Sequence, residues 1–318
     1  MNRSLLRFAL VCVLGLCAAA RADWPQFLGP NRDATSPEKG LLKAWPESGP
    51  KVLWSTAVGP GYAGPAIVGN EVFVLDRKDG KDTLRCLSFA DGKDLWSYSY
   101  DAPGSVGHDG SRNPPTVDDK YVYSVGMMGN FICVDRKTHQ PVWQHDLMKE
   151  YKMELPQWGY SQGPVLYKNT VIIAVQAPEA YAVAFDREKG TVVWKSPAIG
   201  LPGYVSPLVA TLGGEEQLVV LAAGAKDGGV KGACAGLSLK DGSVLWKYEG
   251  WQCWIPIPNP IVLPGDKLFI TGAYNSGSAA IQVSKGANGW ETKELYKLDP
   301  KTAEGHIQQP IVYKDHIY

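Results

Sequence analysis

The chain has 318 residues, 45% of them hydrophobic, and its 32 basic and 32 acidic side chains leave no formal net charge. This balance provides no electrostatic footprint for nucleic acid or anionic lipid, so we expect neither as a partner. The length is ample for a large buried core.

The first 22 residues are typical of a secretory signal peptide. Arg3 and Arg7 precede an apolar run that extends from Phe8 to Ala20, and small residues lead up to Ala22. This run of 13 residues is too short for a transmembrane helix, which needs roughly 20. We therefore expect cleavage after Ala22, no membrane insertion afterwards, and a periplasmic or secreted protein.

Five tryptophans end strand-like runs at a spacing that indicates a repeat protein. They lie at Trp54, Trp96, Trp143, Trp194 and Trp246, separated by 42, 47, 51 and 52 residues. The last four each close an eleven-residue segment, and three of these segments contain a glycine turn. A repeat of this length with about four strands is the blade of a β-propeller.

A proline followed by an apolar strand recurs between the tryptophans. These prolines are Pro65, Pro115, Pro164, Pro207, Pro260 and Pro310. Alternating runs between Gly, Asn and Asp turns predict short strands joined by hairpins. We therefore predict an all-β propeller of four-stranded antiparallel blades over residues 51–318, preceded by an extended segment over 23–50.

The two ends of the repeat suggest how the ring is completed. Trp54 precedes any complete blade, so we expect it on the outer strand of the last blade. The chain stops at Tyr318, shortly after the sixth proline-led strand begins. We therefore expect five blades and the start of a sixth, truncated at the C-terminus, with unpaired strand edges.

The eleven-residue segment suggests a docking role for its tryptophan. Glycine at the turn tolerates positive φ, and the first residue of the segment is small. This first residue is Cys86, Cys133, Ala184 or Gly236. We expect each indole to stack between the turn of its own blade and the small first residue of the next blade, burying on the order of 150–250 Å².

Four cysteines follow the signal peptide. Cys86 and Cys133 open their segments, so we expect small buried side chains there. The sequence leaves open whether Cys234 and Cys253 form a disulfide. No C-x-x-C pair occurs, so a zinc or redox site is not indicated.

The segment pattern A-x-D-x-x-x-G-x-x-x-W resembles the repeat of the pyrroloquinoline quinone (PQQ) propellers. That family includes quinoprotein alcohol dehydrogenases and outer-membrane assembly scaffold proteins. The stretch Asp23-Trp-Pro-Gln-Phe-Leu-Gly-Pro-Asn-Arg is similar to the start of exported bacterial PQQ-like propellers. In the fifth repeat the motif is degraded, and Tyr296 stands in place of tryptophan.

The resemblance implies two functions. One is a non-catalytic binding or scaffold propeller in cell-envelope assembly. The other is a PQQ-dependent oxidoreductase, which would need PQQ over a calcium ion, an aspartate base and usually a disulfide between adjacent cysteines. The sequence has no adjacent cysteines, and no calcium ligands can be assigned. We therefore favour the scaffold, assign no catalytic or metal-binding residue, and expect a monomer.

Propellers bind ligands at the mouth of the central channel, on loops that enter the innermost strands. Polar and aromatic residues recur there, just before the prolines and in adjoining loops. The candidate ligand-binding residues are Tyr62, His108, Arg112, Asn113, Trp158, Tyr160, Gln162, Tyr204, Trp254, Asn259 and Gln308. Such a ring suits a planar polar ligand or an extended peptide, but the same residues could instead satisfy strand ends and line a wet channel. A hydrolase or lyase is supported only by the polar loop 107–113.

Overall fold

The computed structural model describes residues 23–318, so the predicted signal peptide lies outside the described residues. The chain forms five four-stranded antiparallel sheets in which sequential strands are neighbours. A two-stranded hairpin follows the fifth sheet. We number the sheets blades 1 to 5 in chain order.

The strands of the blades have the following bounds. Blade 1 comprises β1 (Ala66–Val68), β2 (Glu71–Lys78), β3 (Lys81–Ser88) and β4 (Asp94–Asp101). Blade 2 comprises β5 (Thr116–Val117), β6 (Tyr121–Val125), β7 (Asn130–Asp135) and β8 (Pro141–Asp146). Blade 3 comprises β9 (Val165–Tyr167), β10 (Thr170–Ala177), β11 (Ala180–Asp186) and β12 (Val192–Lys195). Blade 4 comprises β13 (Leu208–Leu212), β14 (Glu215–Ala222), β15 (Ala233–Ser238) and β16 (Val244–Tyr248). Blade 5 comprises β17 (Ile261–Leu263), β18 (Lys267–Gly272), β19 (Gly277–Gly286) and β20 (Gly289–Leu298), and the final hairpin comprises β21 (Val312–Tyr313) and β22 (His316–Ile317).

The buried apolar side chains lie between successive blades, and not in a single core between two sheets. Four apolar clusters each combine side chains of two successive blades. Phe73 of β2 and Val122 of β6, for example, are fully buried in one cluster. Middle strands such as β10 are buried on both faces because they are covered by a neighbour on each side. The predicted all-β propeller is confirmed.

Trp54, Trp143 and Trp194 dock onto the turn of the following blade, so the expected direction of docking was wrong for them. The indole N–H donates to a backbone carbonyl in the next β-turn: Trp54 to Phe89 at 2.8 Å, Trp143 to Arg187 at 3.1 Å and Trp194 to Leu239 at 3.1 Å. The ring covers the turn glycine of that blade. A Cβ added at Gly242 would lie only 2.5 Å from Cε3 of Trp194.

The small first residue of the segment faces the tryptophan of its own blade. Ala184 is the cross-strand partner of Trp194, and Gly236 is the partner of Trp246. A Cβ at Gly236 would lie 2.2 Å from Nε1 of Trp246. The first residue is therefore small because the indole of the same blade packs directly over it.

Two tryptophans of the motif dock differently. Trp96 stacks on the imidazole of His139, with ring centres 4.9 Å apart, where the other turns have glycine. His139 still adopts the positive φ of that turn, +60°. Trp246 donates to Gln217 within its own blade, and Trp290 of blade 5 instead covers Gly213 of blade 4.

Tyr296 occupies the tryptophan position of blade 5. It pairs with Ala280 at the same register shift that accompanies tryptophan in the other blades. Its side chain is 43% exposed, so it contributes much less buried area than the indoles do.

The N-terminal segment lies along the first strands of the early blades. Trp24 and Ile67 exchange backbone hydrogen bonds of 2.8 and 2.9 Å, and the carbonyl of Pro25 accepts one from Val117. Arg32 donates to the carbonyl of Pro164 at 2.7 Å. This path brings the segment against the inner edges of three blades. Residues 51–59 form no strand in the described chain, so Trp54 docks on blade 1 without belonging to a sheet.

The only helix of residues 23–318 is short. Helix α1 (Leu147–Tyr151) is capped at its N-terminus by Asp146, whose side chain accepts a hydrogen bond from the amide of Lys149. No helix of the described part of the chain is long and apolar enough to cross a membrane.

The four described cysteines are buried free thiols, including the pair that the sequence left open. Burial raises the pKa of all four thiols, that of Cys234 to about 12. Because the thiolate is the reactive form, iodoacetamide is expected to leave all four unmodified in the native protein and to modify them in guanidinium chloride. Peptide mapping by mass spectrometry measures this at each site.

An exposed thiol provides the control for this experiment. Lys93 has a side chain that is 80% exposed, so Lys93→Cys should be modified quickly in the native protein. Rapid native modification of Cys234 or Cys253 would contradict the burial of these side chains.

Candidate ligand site at the mouth of the ring

A cavity of about 470 Å³ lies where the loops preceding the first strands converge. Four predicted residues line it together: Tyr62, Arg112, Trp158 and Tyr204. The remaining lining residues are Phe27, Ser161, Ser206, Ile257, Tyr274, His306, Ile307 and Gln309. Its volume is within the usual range for a ligand pocket, about 300–1,000 Å³.

The lining is dominated by aromatic side chains. Trp158 and Tyr204 lie with ring centres 5.7 Å apart, and the hydroxyl of Tyr204 accepts a 3.3 Å hydrogen bond from the amide of Trp158. Burial raises the pKa of that hydroxyl. Tyr62 is 64% exposed at the rim. The cavity therefore offers broad apolar faces with polar edges, which suits stacking and hydrogen bonding at once.

Tyr274 reaches the cavity from the turn between β18 and β19. It has a φ of +61°, and Asn275 after it has a φ of +68°. A left-handed conformation is uncommon for a bulky residue and costs free energy, and such residues cluster at functional sites. The hydroxyl of Tyr274 lies 3.0 Å from Nε2 of His306.

Arg112 is the only lysine or arginine among the described lining residues. Its guanidinium carbon lies 5.2 Å from the ring centre of Tyr62, a cation–π distance. It also donates to the carbonyls of His108 and Gly110, in its own loop. Burial lowers the pKa of Arg112, but an arginine stays charged at neutral pH.

Four other predicted residues lie beneath the mouth as buried hydrogen-bonding groups. Asn113 donates to the carbonyls of Val125 and Tyr160 at 3.1 and 3.3 Å. The Tyr160 hydroxyl donates to Ala174 at 2.6 Å, and Gln162 donates to Gly203 at 2.5 Å. The backbone amide of Asn259 donates to Oε1 of Gln309, and Nε2 of Gln309 donates to the carbonyl of Asn259. The contacts of Asn113 with Tyr160, of Gln162 with Gly203 and of Asn259 with Gln309 join the loops that precede successive first strands.

The other three predicted residues do not line the mouth cavity. Trp254 is half-buried with its ring centre 5.0 Å from that of Tyr274, and the ammonium of Lys226 lies 4.9 Å from the Trp254 ring. His108 is exposed on its loop. Gln308 lines a different cavity of about 640 Å³ beside blade 5.

The donor set at the mouth does not fit PQQ held over calcium. Calcium takes six to eight oxygen ligands, including carboxylates, and none of the described lining residues is Asp or Glu. Across residues 23–318, no group of three or more His, Cys, Asp or Glu side chains could hold a metal ion.

Two comparisons identify similar proteins. The sequence profile of the family described as outer membrane protein assembly factor BamB matches residues 80–317. BamB from Moraxella catarrhalis is similar in structure, with a TM-score of 0.58 and 16% identity over 82% of this chain and 70% of that one. No curated protein matches the sequence.

A second similar structure is an enzyme. Quinohemoprotein alcohol dehydrogenase from Comamonas testosteroni has a TM-score of 0.54 and 15% identity, over 89% of this chain and 48% of that one. This chain therefore spans about half the length of the dehydrogenase. At these identities the two structural likenesses show the fold alone.

Proposed function

Because this chain belongs to the family described as outer membrane protein assembly factor BamB, whose members are PQQ-repeat β-propellers, we propose that it is a non-catalytic binding propeller. It acts in the periplasm or as a secreted protein, in assembly of the cell envelope. A segment of a protein partner occupies the mouth of the ring. The observation that carries the proposal is the aromatic cavity, which presents exposed apolar surface to solvent.

The polar groups of the cavity support binding rather than catalysis. The hydroxyl of Ser206 accepts from the amide of Gly163, and that of Ser161 donates to the carbonyl of Gly159. Neither serine contacts an imidazole or a carboxylate, as an activated nucleophile would. His306 is bonded to a tyrosine hydroxyl. Among the described lining residues, neither serine is therefore paired with a base.

The polar loop before Arg112 gives no support to a hydrolase or lyase. Its carboxylate, Asp109, accepts a 2.8 Å hydrogen bond from Arg77 and is held there as an ion pair. His108 is exposed, and its carbonyl, not its ring, contacts Arg112. The carbonyl groups of this loop instead hold Arg112 in the wall of the cavity.

Photo-cross-linking tests whether a partner occupies the mouth. Benzoylphenylalanine replaces Ile307, which is 59% exposed in the cavity, and periplasmic extract of the source cells is irradiated with the purified protein. We expect one dominant adduct, and combining the label with Trp158→Ala and Tyr204→Ala should reduce its yield about tenfold or more, because central aromatic residues dominate interface energies. Gel analysis and mass spectrometry measure the yield.

The control places the same label at Val193, which is 51% exposed on the outer strand β12. Adducts at Val193 with none at Ile307 would contradict binding at the mouth. In the same preparations, added PQQ and calcium should give no retained quinone absorbance and no dye-linked alcohol oxidation. Activity in that assay would favour the oxidoreductase instead.

A further inference from the structure

The described arginines that have no carboxylate partner line cavities at the first strands of the blades and at the loops before them. The described chain has six arginines, and four form ion pairs: Arg77 with Asp82 and Asp109, Arg85 with Asp76 and Asp94, Arg136 with Glu71, and Arg187 with Asp118. The other two are Arg32 and Arg112. Each lines a cavity bordered by loops or first strands of several blades. Only the cavity of Arg112 is also rich in aromatic side chains.

One edge of the Arg112 guanidinium is unused. Nη1 donates to the carbonyl of Gly110 and lies 3.1 Å from Sδ of Met127. Nη2 donates once, to the carbonyl of His108. Nε–H has no hydrogen-bond partner among the described residues, and Nη2 makes one hydrogen bond with its two N–H groups. Nε and Nη2 lie on the same side of the guanidinium, and such an edge matches the two oxygens of a carboxylate.

The cavity lining brings no carboxylate to this edge, although Asp109 lies close enough to favour the charged form of Arg112. No described residue of the cavity wall is acidic, and the nearby Asp109 is bonded to Arg77 at 2.8 Å. Burial disfavours the charged form of Arg112 and lowers its pKa. A carboxylate brought by a ligand would compensate that desolvation.

The position of Arg112 at the rim favours a ligand carboxylate that belongs to an Asp or Glu side chain rather than to the C-terminus of a peptide. Arg112 stacks against Tyr62, which is the most exposed aromatic of the cavity wall. Phe27, from the segment along the inner strands, lines the same cavity and offers only an apolar ring. A carboxylate can therefore be held at the rim while apolar neighbours in the same segment occupy the cavity.

We infer that the mouth recognises an acidic peptide segment, in which an Asp or Glu side chain pairs with Arg112 and flanking aromatic or aliphatic residues pack among Tyr62, Trp158 and Tyr204. This inference rests on the proposed function and names the chemistry of the partner. It excludes basic segments, because they would place two like charges together at the rim.

Two blocked peptides test the inference on the purified protein. The probes are Gly-Phe-Glu-Phe-Gly, with an amide-linked fluorophore blocking its N-terminus and an amidated C-terminus, and the same peptide with Gln in place of Glu. Fluorescence polarisation should show the Glu peptide binding at least about tenfold more tightly, since only the carboxylate adds a charge pair to the hydrogen bonds with the guanidinium. In Arg112→Gln this ratio should fall to about 1.

Two variants control for changes elsewhere. Arg112→Lys keeps the charge but not the bidentate edge, so the ratio should lie between those of the wild type and Arg112→Gln. Arg187→Gln removes an arginine whose ion pair with Asp118 lies away from the mouth, so it should keep the full ratio. Circular dichroism melts verify that each variant is folded.

The outcomes separate this inference from the proposed function. Equal binding of the two peptides by the wild type, or an unchanged ratio in Arg112→Gln, would overturn acid recognition while mouth binding stands. A Gln peptide with a free C-terminus that binds more tightly than the blocked Glu peptide would overturn side-chain recognition. Failure of every probe, together with no adduct at Ile307, would remove the proposed function as well.

Discussion

Replacing Trp194 by alanine is expected to lower the free energy of unfolding by about 3–5 kcal/mol, the usual cost of removing a large buried aromatic side chain. Trp194 is 6% exposed, donates to Leu239 at 3.1 Å, and covers Gly242 of the next blade. Its loss removes packing from the contact between blades 3 and 4. Guanidinium unfolding followed by circular dichroism measures the change.

The matched control is Tyr296→Ala. Tyr296 occupies the equivalent position opposite Ala280 but is 43% exposed, so we expect a loss below about 1 kcal/mol. Gly242→Ala should also destabilise the protein, since φ is +75° and the added Cβ would meet the indole. The part of its effect that comes from the clash with the indole should vanish in Trp194→Ala, whereas the cost of the positive φ remains. Equal losses for Trp194→Ala and Tyr296→Ala would show that the docked indoles do not join the blades.

Arg77→Met is expected to cost about 3–5 kcal/mol of stability, the range for breaking a buried ion pair by removing one partner. The side chains of Arg77 and Asp82 are both fully buried, 2.8 Å apart. Arg77 also donates to Asp109 and to the carbonyls of Ala102 and Gly104. Methionine would leave one buried carboxylate and two carbonyls without this donor. Urea denaturation monitored by tryptophan fluorescence measures the loss.

An exposed ion pair in the same blade gives the control. Lys81 pairs with Asp101 at 2.8 Å, but the two side chains are 60% and 81% exposed, so Lys81→Met should change stability by less than about 1 kcal/mol. Combining Arg77→Met with Asp82→Leu should recover part of the loss, because the unpaired buried charge is then gone. A loss for Lys81→Met as large as that for Arg77→Met would contradict the role of burial.

The loops at the mouth were partly predictable because each precedes a proline-led first strand. That rule selected Tyr62, Arg112 and Tyr204, which line one cavity together with Trp158 of an adjoining loop. The same rule also selected Tyr160 and Gln162, which the structure buries as strand-end hydrogen-bonding groups. Sequence position alone cannot separate these two groups, because a shift of one or two residues turns a side chain from the cavity to the blade interface.

Two contributors to the cavity wall had no signal in the sequence. Phe27 arrives from the N-terminal segment, whose path is set by hydrogen bonds to strands far along the chain. Tyr274 comes from a turn inside blade 5, and its positive φ occurs at a residue type that does not predict it.

The sequence by itself determined the repeat: its period, its turns and its alternating apolar runs require four-stranded sheets that bury both faces against neighbours. Those features are local, so they can be read without coordinates. Only the tertiary structure decided that Trp54, Trp143 and Trp194 dock forward onto the next blade, and that Arg112 keeps an unbonded Nε–H while Arg77 uses all three nitrogens. These outcomes depend on which distant groups meet, and the spacing of residues along one chain does not specify that.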